Sequence, residues 1–312
     1  SIAAQIATFP LGLLYFHQFP NYFMLSNLIV IPLAIGILYL GIVTLFFASV
    51  PIVGEYLALT LNYIIKFLNE SVYIIDALPY SLSENIRFSV TDTWLLYLFI
   101  ICMICLIAYR KFKYIAMGSG FIILFLCSTF LLNYTDLEQR SIIIYNIPKF
   151  SAINFIDGKD NILLSDIKLT QNRSKLMFHV QNNWINNGVS NEKVVLLDHL
   201  HKKHSLSNIY RISNDNLFSK RNYFQFYASK IAIINNTYQL NKQEDKLAID
   251  LLLITKNTKL TITELLTQFT PQQIVIDASN STYTSQRFKQ EAAALNIACW
   301  SVLLDGAFVQ DI

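Results

Sequence analysis

Three imidazoles fall within six residues of the chain: His199, His201 and His204, with Lys202 and Lys203 between them. Neutral imidazoles at that density are a usual start for a zinc site. A dinuclear hydrolytic centre would use them to hold metals that lower the pKa of a bound water to about 7. Such a centre needs more than three nitrogens, and a carboxylate normally completes its second site. No carboxylate stands among the three histidines, and an ammonium such as that of Lys203 would bring one cation toward another. The only other histidine beyond residue 133 is His179. The three histidines are therefore weak metal candidates in a polar turn. No catalytic residue, no metal and no cofactor is expected.

Other side chains with chemistry to offer divide similarly. Asp157, Asp166 and Asp277 end strand-like runs, where carboxylates serve either catalysis or ordinary turns. Ser279 and Ser281 have no histidine beside them, and no glycine-rich phosphate loop occurs. Cys102 and Cys105 form a C-x-x-C inside an apolar run, where buried thiols are the plainer reading than redox or metal chemistry. Lys202, Lys203, Arg211, Lys220 and Arg221 lie near Tyr210, Tyr223 and Phe224, a pattern that suits a nucleic-acid backbone as well as a solvated face. They are the candidate DNA contacts. His17, Gln18 and Asn27 stand at or near bilayer depth; such groups either line a polar pathway or hydrogen-bond between helices. Tyr15, Phe16, Phe19, Tyr22 and Phe23 around them suit an interfacial belt or base stacking.

The elements that must position these residues follow from a break in composition. The chain is 312 residues long, 54% hydrophobic and only 14% charged, against about 25% charged in soluble domains. Residues 1–133 hold five of the 24 basic and five of the 21 acidic residues. The charge of the remainder predicts a membrane domain over 1–135 and a water-soluble domain over 136–312. The chain opens on Ser1 with neither a basic region nor a cleavage site, so it reads as a piece cut from within a longer membrane protein.

Residues 25–50 carry no charge, enough to cross a hydrocarbon core of about 30 Å. Further spans are expected at 94–109 and 114–132, and the apolar run 1–16 reads as a fourth span or a re-entrant piece. Between them, residues 52–78 place Leu57, Leu61, Ile64, Ile65, Leu68, Val72 and Ile75 every three or four positions, with Glu55, Asn62, Lys66, Asn69, Glu70 and Asp76 on other faces. That pattern predicts an amphipathic helix lying in the membrane interface. Arg110, Lys111 and Lys113 crowd the turn between the last two spans, which places that turn in the cytoplasm and the soluble domain outside it.

The second half reads as β-rich. Strand signals fall at 140–147, 151–158, 161–166, 192–198, 223–229, 230–235, 250–255, 272–279, 299–304 and 306–312, and helical ones at 173–186, 260–269 and 282–295. The alternation after residue 250 is that of an α/β domain, with two sheets between helices.

Several spaced motifs together resemble the competence and DNA-internalisation channels of the ComEC type. They are Ala3-Ala4-Gln5, Thr8-Phe9-Pro10-Leu11, the turn from Phe16 to Phe19, and Asn27-Leu28 through Pro32, followed by the amphipathic helix and, near the end, Asp305-Gly306-Ala307. The resemblance implies a polytopic α-helical membrane domain followed by an αββα metallo-β-lactamase-like sandwich. That superfamily carries H-x-H-x-D-H near His199, a His-His-Gly-Ser after a strand like 250–255, and a last histidine after a strand like 272–279. Here the second place reads Thr255-Lys256-Asn257-Thr258-Lys259 and the third Asn280-Ser281-Thr282-Tyr283, so the metal site is expected to be degenerate. The implied function is transport of single-stranded DNA across the cell membrane in natural transformation. The implied partners are that DNA, membrane lipid, other DNA-uptake proteins and further copies of the chain. An active metal-dependent nuclease and a membrane-anchored DNA- or partner-binding module are the alternatives.

Overall fold

The computed structural model describes residues 2–197, 208–210, 216–240 and 245–312, and it forms two compact units, one ending at Ser128 and one running from Thr129. His199, His201, His204, Lys202, Lys203 and Arg211 lie outside the described residues.

The first unit contains α1 (Ile2–Phe16), α2 (Phe23–Phe46), α3 (Val53–Asp76) and α4 (Val90–Tyr109), and α5 (Lys113–Thr135) begins in it. Helices α2, α4 and α5 are long and apolar enough to cross a membrane. Helix α4 opens on a capping box in which Ser89 and Asp92 satisfy each other's backbone N–H groups, and it stops at Arg110 in the left-handed conformation. Tyr97 Oη of α4 donates to the Ala7 carbonyl of α1 at 2.8 Å.

The expected amphipathic helix is a single element, and its partner is α2. The least exposed positions of α3 are Gly54, Leu57, Leu61, Ile64, Leu68, Ser71 and Ile75, and those of α2 include Phe23, Ser26, Val30, Leu33, Ile37, Leu40 and Thr44. Both follow alternating steps of three and four, the spacing that keeps one stripe of a helix on a neighbour. Gly54 sits so close to the turn that an added Cβ would lie 2.9 Å from the Phe47 carbonyl oxygen. At the other end, Tyr22 Oη donates to the Pro79 carbonyl at 3.0 Å and Asn21 Nδ2 to that of Tyr80 at 2.7 Å. Two short strands, β1 (Phe19–Pro20) and β2 (Leu82–Ser83), pair antiparallel beside them. Helices α2 and α3 are thus the arms of an antiparallel hairpin, each 24 residues and about 36 Å long.

The second unit is built on two sheets. The smaller has the order β14-β3-β4-β5-β6, from β3 (Arg140–Ile144), β4 (Ala152–Asp157), β5 (Asp160–Ser165), β6 (Asn191–Leu196) and β14 (Phe308–Asp311). The larger has the order β13-β12-β11-β10-β9-β8-β7. Its strands are β7 (Asn208–Tyr210), β8 (Leu217–Lys220), β9 (Tyr223–Phe226), β10 (Ser229–Ile234), β11 (Leu247–Ile254), β12 (Phe269–Ile276) and β13 (Ala298–Ser301). Strands β10 to β13 are mutually parallel.

Three apolar layers hold the unit together. Ile142, Ile153, Phe155 and Leu164 of one sheet meet Phe224, Phe226, Ile231, Leu251 and Val275 of the other. Ile156 and Leu163 face α6 (Ile167–Gln171) and α7 (Arg173–Asn186) through Leu169, Leu176, Val180 and Trp184. Leu252, Ile254, Ile274 and Ile276 face α8 (Ile262–Leu265) and α9 (Thr282–Ala294) through Leu265 and Phe288. Alternate residues of β4 and β11 thus enter different layers, which is why these strands read as continuous apolar runs.

Two expected elements are corrected. The helix expected over 260–269 is confined to Ile262–Leu265, started by a Thr261–Glu264 capping box, and Phe269 already opens β12. The strand expected over 299–304 ends at Ser301 and turns into α10 (Val302–Asp305). There Asp305 accepts from the Ser301 N–H at 2.9 Å and from Lys289 Nζ at 2.8 Å. Gly306 follows at φ +96°, a conformation that a side chain rarely adopts.

Candidate functional site

Parallel strands in register bring the residues just after them to one edge. Thr255, Lys256 and Asn257 follow β11, and Asp277 to Asn280 follow β12. Asp166 follows β5, and Ser151 precedes β4 at the same edge, since Ala152 pairs with Ser165. Asp277 is wholly buried. Its Oδ1 accepts from Ser279 Oγ at 2.5 Å, the Ser279 N–H at 3.0 Å and Asn280 Nδ2 at 3.0 Å, and its Oδ2 accepts from Ser151 Oγ. Asp166 Oδ2 accepts from the Ser151 N–H at 2.8 Å, and Asp166 Oδ1 lies 2.8 Å from Lys256 Nζ. One serine therefore bridges two carboxylates, and an ammonium balances the outer one.

The turn that delivers Lys256 is held as firmly. Lys256 and Asn257 both adopt positive φ, which costs a residue with a side chain unless its surroundings fix it. They are fixed by Ser279 Oγ, which accepts from the Lys256 N–H at 2.7 Å, and by Asn280 Oδ1, which accepts from the Asn257 N–H at 2.9 Å. A cleft of about 330 Å³ opens over the group, lined by Lys149, Asp166, Lys168, Lys256, Asn257 and Ser279.

Burial is the main cause that pushes the Asp277 carboxyl up to about 7, with the nearby Asp166 charge adding to it and the Ser151 and Ser279 hydrogen bonds opposing it. Asp277 thus holds a proton over much of the range in which a free carboxylate would be charged. Both serine hydroxyls point at this acid, and no imidazole neighbours them among the described residues. Nor does any group of three His, Cys, Asp or Glu side chains there have the geometry to hold a metal ion. A cation is nevertheless present, and it is the chain's own: Lys256 Nζ against Asp166. These hydrogen bonds and the ion pair join the two sheets and the Lys256 turn at one edge.

Removing one partner of this pair leaves the other charge in a largely buried place. The side chains are 28% and 11% exposed, so Lys256→Met is expected to lower stability by about 2 kcal/mol, short of the 3–5 kcal/mol typical of fully buried pairs. Adding Asp166→Asn should restore at least half of that loss. Chemical denaturation of the detergent-solubilised chain, followed by Trp184 and Trp300 with Trp94 replaced by Phe, measures both. Strictly additive losses would show that the two side chains are uncoupled.

Of the three strand-end aspartates, the fold brings together Asp166 and Asp277 only. Asp157 ends β4 at the opposite edge, where it accepts from Tyr227 Oη at 2.7 Å and Asn216 Nδ2 at 3.3 Å. The Arg140 guanidinium lies 4.2 Å from the centre of the Tyr227 ring. Ser281 caps α9 by accepting from the Thr284 N–H. His179 lies on α7 with its ring edge-to-face on Phe178. In the first unit, His17 is buried, with Nδ1 3.1 Å from the Ile86 carbonyl oxygen, while Gln18 is exposed and Asn27 half-buried on α2. Of the aromatic residues beside the expected basic strip, Phe224 is buried between the sheets, Tyr223 Oη meets Tyr238 Oη at 3.1 Å, and both border the groove that Lys220 lines. Lys220 and Arg221 are exposed at the turn between β8 and β9. Lys220 shares a groove of about 510 Å³ with Phe218, Lys230 and Lys246, residues that the sequence pattern did not single out. The signal for the last two was alternation along β10 and the strand start at Leu247.

No curated protein and no solved structure matches the chain. Two family models do. Residues 1–113 match the Competence protein family, and residues 142–312 match the ComEC C-terminal domain. The second match alone covers more than half of the sequence and contains the whole Asp166–Asp277–Lys256 group, and the first covers α1 to α4. This chain belongs to the ComEC family of competence proteins.

Proposed function

We propose that this chain is a multi-pass component of the cell membrane that carries single-stranded DNA into the cell during natural transformation, with a C-terminal domain that is a non-catalytic metallo-β-lactamase-like sandwich outside the cytoplasm. The observation that carries the transport reading is the succession, on one chain, of competence-type membrane helices and a ComEC C-terminal domain. The layer order helix, sheet, sheet, helix supports the sandwich. The ion pair of Lys256 with Asp166, at the place where the superfamily's His-His-Gly-Ser motif would fall, supports the loss of catalysis. Arg110 and Lys111, between α4 and α5, support a cytoplasmic turn and an external second unit.

A second reading, a membrane-anchored module that binds DNA or a partner, draws on the Phe218, Lys220, Lys230 and Lys246 groove. Two measurements test the role of the C-terminal domain in transport and its loss of catalysis. Deleting 136–312 in a transformable host should abolish entry of a labelled strand into a nuclease-protected state. The purified chain should cleave neither single- nor double-stranded DNA with zinc or manganese present. Metal-dependent cleavage lost on replacing His199, His201 and His204 would establish the nuclease alternative. Unchanged strand entry without 136–312 would remove that domain from transport.

A further inference from the structure

The hairpin of α2 and α3 meets a constraint at its open end. Pro20, just before α2, pairs with Leu82, shortly after α3. Around that pair, the Asn21 N–H donates to the Ser81 carbonyl at 2.9 Å and the Ile86 N–H to the His17 carbonyl at 2.9 Å. Residues 17–21 and 79–86 therefore lie on the same side of any membrane that the unit crosses. Helix α2 is apolar enough to take the chain across. The chain must then return before Leu82, and α3 is the helix available to bring it back, packed on α2 from Gly54 at the turn to Ile75 at the open end. A helix lying flat in the interface would leave hydrogen-bonded partners on opposite sides.

Crossing places the polar residues of α3 at bilayer depth. On a 3.6-residue helix, Glu55, Asn62, Lys66, Asn69 and Glu70 cluster about half a turn away from the Leu57–Ile75 stripe, and all five are exposed. Charges and amides at that depth face protein or water rather than lipid. The α2-facing side of the helix is already filled by its apolar stripe, and the polar groups are spread over much of the helix. A continuous column of water would hydrate all of them at once.

We propose that α3 crosses the membrane as the second arm of a helical hairpin, and that Asn62, Lys66, Asn69 and Glu70 line a water-filled path through it. The inference rests on α2 being a span. It goes beyond the transport reading, and its test needs no DNA, so the two can fail separately.

The test uses the full protein in its native membrane with Cys102, Cys105, Cys127 and Cys299 replaced by Ala, and a small, charged, membrane-impermeant thiol reagent. Single cysteines are placed at Glu55, Asn62, Lys66, Asn69 and Asp76, and at Leu61 and Ile64 facing α2. Labelling after denaturation gives the total for each variant, so a variant that is not made is recognised as such. Glu55→Cys and Asp76→Cys should react from opposite sides of the membrane. Asn62→Cys, Lys66→Cys and Asn69→Cys should react, whereas Leu61→Cys and Ile64→Cys should not. Reaction of the two end positions from the same side would overturn the crossing. Opposite sides with silent Asn62, Lys66 and Asn69 positions would overturn the water-filled path and assign the stripe to contact with protein.

Discussion

Raising the pH from 4 to 8 should weaken the second unit of the native chain, and Asp277→Asn should abolish that loss. The Asp277 carboxyl moves from an ordinary value of 3.8 to about 7 on folding. Between those values the folded chain holds a proton that the unfolded chain has released, so stability falls as pH rises. The contribution is fully present below about 4 and is gone above about 7. A shift of this size corresponds to about 4 kcal/mol at 1.36 kcal/mol per unit. Asparagine imitates the protonated acid: its oxygen can accept from Ser279 and Asn280, and its amide can donate to Ser151 Oγ, a hydroxyl that also accepts. Two other carboxyls work in the opposite sense. Lys289 and the Ser301 N–H hold Asp305 below its ordinary value, and the Thr261 backbone and hydroxyl do the same for Glu264. Their support is lost in acid, so they shape only the low-pH limb. Denaturation at a series of pH values, read from Trp184 and Trp300 in the Trp94→Phe background, should show a falling limb between about 4 and 7 in the parent and none in Asp277→Asn. An unchanged limb would place its origin elsewhere.

Phe155→Ala should be the most damaging single truncation of the second unit, at about 3–5 kcal/mol. Phe155 is fully buried on β4, and its ring lies 5.4 Å from Phe226 and 6.3 Å from Phe224, both of the opposite sheet. It is therefore a contact on which the two sheets depend, and the cavity left by its ring cannot close without moving one sheet toward the other. Phe226→Ala should be similarly costly, and the double variant should lose less than the sum, by about 0.5–1.5 kcal/mol of aromatic coupling. Phe178→Ala is the control: that ring is 80% exposed on α7, and its loss should matter by no more than about 0.5 kcal/mol. Equal effects of Phe155→Ala and Phe178→Ala in denaturant midpoint would contradict the inter-sheet role.

Much of the architecture was legible along the chain because it depends on local period and charge. The uncharged run at 25–50, the alternation of strand and helix after residue 250 and the helix at 173–186 each carry their signal within a few turns. That no histidine follows the runs at 250–255 and 272–279 was equally plain, since residue types need no fold to be read. Errors came where the period is ambiguous. CWSVLL is apolar enough for a strand, yet Asp305 takes the Ser301 N–H and bends the second half into a helical turn. In LTITELLTQF the Thr261–Glu264 box starts a helix that Phe269, required in β12, cuts short.

By itself, then, the sequence determined which half is apolar enough to enter a membrane, which residues can form strands, and that no histidine follows His204. Tertiary structure alone decided which distant groups meet. A stripe on α3 announces that one face is covered, but only the pairing of Pro20 with Leu82 names α2 as the cover and brings the chain back. Asp277 and Ser151 stand 126 positions apart, and the Asp166–Lys256 pair joins one sheet to the other. Hydrophobic period records how deeply a residue is buried, whereas electrostatic partners are set by which strands lie side by side. That order is fixed by packing over the whole sandwich, and no short window of sequence contains it.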